Sequence, residues 1–224
     1  MIDLTLIIPA KFESESLPIF LKEIQSLKCT KIVILDEDDY KTINAIKSFS
    51  DIKVCYQKIR GYGSAIIEGI EITKTKFFCI INADGSMNPI YLNKMLDNVR
   101  EYNLDFLFAS RYQYPGGGSD DDNLVTSLGN YLFTKIGNIF FRLNISDILF
   151  TYVMGKTSKF NMLKLSSKDF TLCVEMPIKA KRAGLRLGTS ASFERSRIAG
   201  SKKVNSFRDG LLILIKMIRM FFLK

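Results

Sequence analysis

Short apolar runs alternate with helix-period segments through the first half of this chain, and that alternation narrows the fold more than any other feature. Leu4–Ile8 is an apolar, β-favouring run that stops at Pro9. Glu13 to Lys28 then carries Leu17, Phe20, Leu21, Ile24 and Leu27 at helical spacing. Lys31–Leu35, Ile52–Tyr56, Phe77–Ile81 and Leu104–Ala109 repeat the strand-like pattern. Tyr40–Phe49, the stretch from Gly63 to about Thr73, and Pro89–Tyr102 repeat the helical one. Strict β-α alternation predicts an α/β fold, a mostly parallel central sheet with helices on both faces.

The regularity breaks at Tyr114–Asp122, whose Pro, Gly and Asp content predicts a mobile loop. Leu124–Leu143 follows and is apolar enough to be a core helix or to touch lipid. Leu172–Ala183 reads as a helix ended by Gly184, Leu187–Phe193 as a last strand and Asn205–Lys224 as a last helix. Two units are expected: a catalytic domain over 1–204 and a basic amphipathic helix over 205–224.

Histidine is absent, which excludes Ser-His-Asp catalysis and His-ligated metals. Cys29, Cys55, Cys79 and Cys173 form no CxxC pair, and Cys55 and Cys79 sit in strand-like runs. They read as reduced core thiols of a cytosolic chain. Leu4–Pro9 is too short for a signal peptide, and Asp3 is wrongly placed for one.

The chemistry is expected where the Phe77–Ile81 strand ends, at Asn82-Ala83-Asp84-Gly85-Ser86. Polar oxygens at the carboxyl end of a central parallel strand sit where open α/β sheets bind ligands. An aspartate with an amide oxygen beside it holds a hard cation, and the cation holds phosphate oxygens; an aspartate there also simply caps the next helix. A second strand ends in Asp36-Glu37-Asp38-Asp39, where Asp36 is placed to accept from a base or ribose and Glu37–Asp39 reads as a solvated turn. Arg60-Gly61-Tyr62-Gly63 lacks the third glycine of a dinucleotide fingerprint, since position 66 is Ile, which argues against an oxidoreductase. The net charge is +9, and the last thirty residues carry eight Lys or Arg against Asp209 alone. Arg195, Arg197, Lys202 and Lys203 cluster around Gly200 as a phosphate-binding element or a basic surface loop.

In order and spacing these motifs resemble the family-2 glycosyltransferases, in the branch of dolichyl-phosphate mannosyltransferase and bacterial cell-surface sugar transferases. Pro9, Ala10 and Glu13 match the family's opening, and Asp36 its first acidic stretch, although Glu37 follows and the Gly-Ser is lost. Arg60–Ala65 matches its glycine turn, Asn82-Ala83-Asp84 its Asp-Ala-Asp metal motif, Ser110-Arg111-Tyr112 the next strand end, and Arg197–Lys203 its basic element.

The resemblance implies the GT-A fold and inverting transfer from a nucleotide-diphosphate sugar to a polyprenyl-phosphate or cell-surface glycan acceptor. It implies that Pro9, Ala10, Glu13, Asp36, Gly61 and Gly63 hold the nucleotide end, and that Asp84 with Asn82 holds Mg²⁺ or Mn²⁺. The amide at Asn82 brings no charge, so the cation is expected to bind weakly, with Arg111, Arg197 and Lys203 helping to neutralise phosphate. Glu175 and, second, Asp147 are the candidate bases for a hydroxyl acceptor; a lipid phosphate needs none. No nucleic-acid partner is implied. The last helix is expected to lie on an anionic membrane at its cytoplasmic face, or to dock on the core or in a homo-oligomer. A non-catalytic nucleotide-sugar-binding module and a nucleotidyltransferase are the rival readings.

Overall fold

The computed structural model describes residues 1–201, 203 and 205–223; Lys202 of the basic cluster, Val204 and Lys224 lie outside the described residues. The first half runs β1 (Leu4–Pro9), α1 (Ser16–Glu23), β2 (Thr30–Leu35), α2 (Tyr40–Ile46), β3 (Lys53–Tyr56), α3 (Tyr62–Glu71), β4 (Phe77–Ile80), α4 (Leu92–Glu101) and β5 (Phe106–Ser110). The second half runs β6 (Gly118–Ser119), α5 (Leu124–Phe141), β7 (Val153–Lys156), α6 (Thr157–Met162), α7 (Leu172–Arg182), β8 (Leu187–Ala191), β9 (Phe193–Glu194) and α8 (Ser206–Phe222).

Seven strands form the main sheet in the order β3-β2-β1-β4-β7-β5-β8. All its pairings are parallel except those of β7, which runs antiparallel between β4 and β5. The expected α/β architecture is therefore present, with one strand that the apolar pattern did not announce. Val153-Met154-Gly155-Lys156 is too short and too mixed to read as a strand, and its neighbours on both sides supply the ladder.

Side chains alternate across the sheet, as strand geometry requires. Ile7, Ile32, Ile34, Phe78 and Ile80 face a layer built from α3, α6, α7 and α8, including Ile66, Ile70, Phe160, Ile213 and Met217. Leu6, Ile8, Val33, Leu35 and Cys79 face the opposite layer, with Leu17 and Phe20 of α1 and Leu92 and Met95 of α4. β3 is an edge strand with exposed Val54 and Tyr56, so Cys55 is only half-buried rather than a core thiol.

Two further expectations change, and the last helix takes one of the placements left open for it. Tyr114–Asp122 is held at its end: β6 pairs with β9, and Asp120 donates its N–H to the Glu194 carbonyl at 2.9 Å. Asp39 is no solvated turn residue; it is buried, caps α2 through the Thr42 N–H and accepts the Phe12 N–H at 2.7 Å. α8 docks on the core through Ile213, Met217 and Met220, and Arg182 donates to its last carbonyls, those of Met220 and Leu223.

Candidate active site

The parallel strands β1, β2 and β4 all end at the same side of the sheet, and their carboxyl ends open into a cavity of about 430 Å³. Pro9, Ala10 and Glu13 line it from the end of β1, Asp36 from the end of β2, and Asn82 and Asp84 from the end of β4. Gly61, Arg111, Arg197 and Lys203 complete the set of sequence-predicted residues that the fold brings together.

Each of these side chains has a definite state. Asp36 is buried and, among the described residues, its Oδ1 has no hydrogen-bond partner; Arg60 Nε stands 4.0 Å away. Asp84 takes the Ser86 N–H on Oδ1 and faces Arg197 Nη1 with Oδ2 at 3.3 Å. Arg197 also reaches Asp121 at 2.8 Å, and its Nε, buried, has no acceptor among the described residues. Burial works against the guanidinium charge, but the bond to Asp121 and the nearby Asp84 raise its pKa above the usual arginine value. Lys203 binds Glu13, which also accepts from Ser16.

Asn82 is less free than its position in the chain suggests. Its Oδ1 accepts from the Tyr62 hydroxyl at 2.9 Å, and Tyr62 lies 2.6 Å from Thr151 Oγ1. Burial raises the Tyr62 pKa far above the usual phenol value, so it stays a neutral donor. Arg111 is less free still. Its fork is spent on Asp147, at 2.8 and 3.0 Å, and on Glu194 at 3.1 Å, and its plane lies 4.7 Å above Phe150. Burial would lower its pKa, and Asp147 outweighs it; Arg111 stays charged and already balanced.

Three predicted residues do not line the cavity. Gly63 is required by packing, not by a nucleotide: a Cβ there would sit 2.3 Å from the Ser167 carbonyl oxygen and 2.6 Å from that of Asp169. Gly61, at φ +139°, likewise passes under Lys168. Asp147 is fully buried and holds Arg111 and the Phe150 N–H, so it positions an arginine and has no reach to an acceptor. Glu175 is 1% exposed and accepts from the backbone of Ser166 and Ser167, with Lys179 and Lys216 beside it. Burial raises its pKa, but the bonds from Lys179 and Ser167 outweigh it and hold the carboxylate down to about 2, too weak a base for a hydroxyl.

Glu175 nevertheless acts on the cavity at one remove. It fixes the Ser166–Ser167 backbone, which crosses over Gly63 and carries Asp169 and Phe170 into the cavity wall. Tyr62, Asp121, Asp122, Asp169 and Glu194 are cavity residues that sequence reasoning left unassigned. Tyr62 stood inside the glycine turn and was legible there; the others come together only through β6, β9 and the 166–170 crossing.

Sheet order and strand-end cavity together define the GT-A class of α/β transferase fold. The chain belongs to glycosyl transferase family 2: the family's model matches residues 5–163, and the protein is a glycosyltransferase. Among solved structures it is similar to glucosyl-3-phosphoglycerate synthase from Mycobacterium tuberculosis in complex with Mn²⁺ and UDP-glucose, with TM-score 0.72 and 13% identity over 97% of this chain and 78% of that one. The same enzyme in complex with phosphoglyceric acid matches with TM-score 0.70 and 13% identity over 96% and 79% of the two chains. A further mycobacterial protein matches with TM-score 0.70 and 12% identity over 97% and 74%. At these identities the likeness is one of fold.

Proposed function

We propose that the protein transfers a sugar, with inversion, from a nucleotide-diphosphate sugar to a lipid-linked acceptor, in the manner of the dolichyl-phosphate mannosyltransferase-like branch. The observation that carries the donor half is the pair of acids at neighbouring strand ends. Asp36 offers a buried oxygen without a partner, which suits an N–H or O–H of the nucleoside. Asp84 offers an oxygen that already attracts a cation, Arg197.

A divalent cation, Mg²⁺ or Mn²⁺, fits the same oxygen of Asp84, and the similar synthase binds Mn²⁺ with UDP-glucose. Asn82 is the second donor on the turn, already engaged by Tyr62. Among the described residues no cluster of three or more acidic or thiol side chains could hold the ion alone, so phosphate oxygens of the donor would complete its shell. Bound there, the cation would stabilise charge on the departing diphosphate. Arg197 and Lys203, released from Asp84, Asp121 and Glu13, would serve the same diphosphate.

The acceptor end follows from which group arrives. A lipid phosphate attacks as an anion. A hydroxyl must lose a proton, and with Glu175 and Asp147 away from the cavity, Asp169 is the carboxylate whose Oδ2 lies outside its bonds to Thr171. The lipid-linked class is favoured because Thr126, Ser206 and Asp209, at the starts of α5 and α8, line the cavity, and both helices turn apolar side chains outward.

The test is product analysis with a panel of nucleotide sugars and Mn²⁺, offering polyprenyl phosphate, a lipid-linked glycan or phosphoglycerate. Release of nucleoside diphosphate with glycosylation of a lipid acceptor is the expected result. Transfer to phosphoglycerate alone would overturn the acceptor assignment. Binding without turnover, or pyrophosphate release from a nucleoside triphosphate and a sugar phosphate, would overturn the transfer itself.

A further inference from the structure

α5 meets the body through polar as well as apolar side chains. The side it presses against the body carries Asn130, Thr134 and Gly137, all buried. Asn130 accepts the Leu149 N–H at 3.0 Å and Thr134 the Ile148 N–H at 3.2 Å, so these polar residues fasten the helix to the segment ahead of β7. Leu124, Leu128, Leu132 and Ile139 face outward, Leu124 at 88% and Leu128 and Ile139 at 68% exposure. Phe133, Ile136 and Phe141 pack on the core beside them, so the outward leucines are a second apolar side, where an amphipathic helix ordinarily carries polar residues.

α8 lies beside it and continues the surface. Phe207, Leu211, Leu214, Ile218 and Phe222 are exposed and fall on one stripe at helical spacing. Phe221 stands edge-on to Phe140 at 5.6 Å, joining the two helices. An apolar groove of about 220 Å³ runs between them. A contiguous apolar face of two helices is more than monomeric proteins ordinarily leave exposed.

We infer that α5 and α8 form a docking face for an anionic lipid surface, placed beside the mouth of the cavity. Charge selects this occupant. Lys135, Arg142, Arg208 and Arg219 are exposed on the two helices and their ends. α5 holds no acid, and the one acid of α8, Asp209, lines the cavity instead. A second copy seated on this face would bring like charges together, whereas anionic headgroups meet them with opposite sign. Among the described residues no helix is long and apolar enough to cross a membrane, so the face rests on the lipid. The inference deepens the transferase reading, since the first turns of both helices lead from the lipid to the cavity, and it implies a peripheral position at the membrane face that nucleotide sugars reach.

Vesicle co-sedimentation of the full chain, without donor, is the test. Phosphatidylcholine vesicles are compared with vesicles containing phosphatidylglycerol, at low and high salt. Three chains are used: the unaltered protein, an apolar-face variant Leu128→Ser with Leu211→Ser, and a charge variant Arg208→Gln with Arg219→Gln. Expected is salt-sensitive binding to the anionic vesicles, weakened about tenfold or more in the apolar-face variant, as burial of two large side chains predicts. The charge variant should lose the preference for anionic over neutral vesicles. Circular dichroism confirms that each variant is folded. Indifference of the unaltered chain to anionic vesicles at low salt overturns the inference, as does a concentration-dependent dimer in sedimentation velocity that the apolar-face variant abolishes. Vesicle binding without sugar transfer overturns the transferase reading alone; transfer to a soluble acceptor without vesicle binding overturns this inference alone.

Discussion

Arg197 Nη1 stands 3.3 Å from Asp84 Oδ2, so the carboxylate offered at the end of β4 already carries a cation of the protein's own. A divalent ion and the guanidinium compete for the same oxygen. Arg197→Ala should tighten Mn²⁺ binding to the donor-free protein severalfold, measured by calorimetry, while weakening the nucleotide sugar in a salt-dependent way. Asp84→Ala should abolish metal-dependent turnover with an unchanged circular dichroism spectrum. Full activity in Asp84→Ala would remove the metal assignment.

Asn82→Asp adds a carboxylate to the same turn. A unit charge about 5 Å from a dication is worth roughly 1.7 kcal/mol even at the dielectric of water, so Mn²⁺ affinity should rise on the order of tenfold. Unchanged affinity would mean that residue 82 serves Tyr62 rather than the metal.

Asp147→Asn tests positioning against proton transfer. Asp147 is fully buried under a two-point bond to Arg111, and breaking such a pair on one side costs about 3–5 kcal/mol. Tm should fall accordingly. The limbs of the pH–kcat/KM profile should stay in place; loss of the acidic limb would restore Asp147 as a base.

Glu175 makes stability depend on acid. Burial opposes its charge, the bonds from Lys179 and Ser167 override that, and the carboxylate is held at about 2. An unfolded glutamate titrates near pH 4.3, so between those values the unfolded chain binds more protons than the folded one. The stabilisation is complete above roughly pH 4.3 and is lost as pH falls through the folded value, amounting to about 3 kcal/mol at neutral pH. Glu175→Gln should lower Tm at neutral pH and flatten the urea-midpoint curve between about pH 5 and 2. An unaltered curve would show that Glu175 is unpaired in solution.

Gly63→Ala should disturb the donor from a distance. The added Cβ meets the Ser167 and Asp169 carbonyl oxygens at 2.3 and 2.6 Å, which forces the 166–170 crossing outward. Overpacking of this kind costs about 1–3 kcal/mol. Donor KM should rise with Tm falling; an unchanged KM would free the cavity wall from dependence on this crossing.

β1, β2 and β4 were legible because burial on both faces leaves largely apolar runs, and helices leave their own period. Strand-end residues such as Asp36 and Asp84 were legible for the same reason: the end of a buried strand marks the site. Glu175 and Asp147 were misread because a sequence records that an acid is present, not that backbone N–H groups and cations have already saturated it. Asp121, Asp169 and Glu194 were missed because their neighbours in space, Arg197, Gly63 and Arg111, lie on segments brought together by strand crossings and loop contacts. The outward apolar side of α5 was half visible, as a segment that suited either core or lipid; which side faced the body depended in part on Asn130 and Thr134 finding backbone partners beyond its own end.

The antiparallel setting of β7 has a consequence for how such a chain diversifies. Ala109 at the close of β5 donates its N–H to the Tyr152 carbonyl at 2.9 Å, so the excursion over 111–152 leaves and re-enters the sheet at adjacent points. An excursion with a closed root behaves as a cassette. It can lengthen, shorten or be exchanged without altering the order of the strands or the ends of β1, β2 and β4. The half of the molecule that would grip the donor can stay constant through descent while the half that would face the acceptor is rewritten.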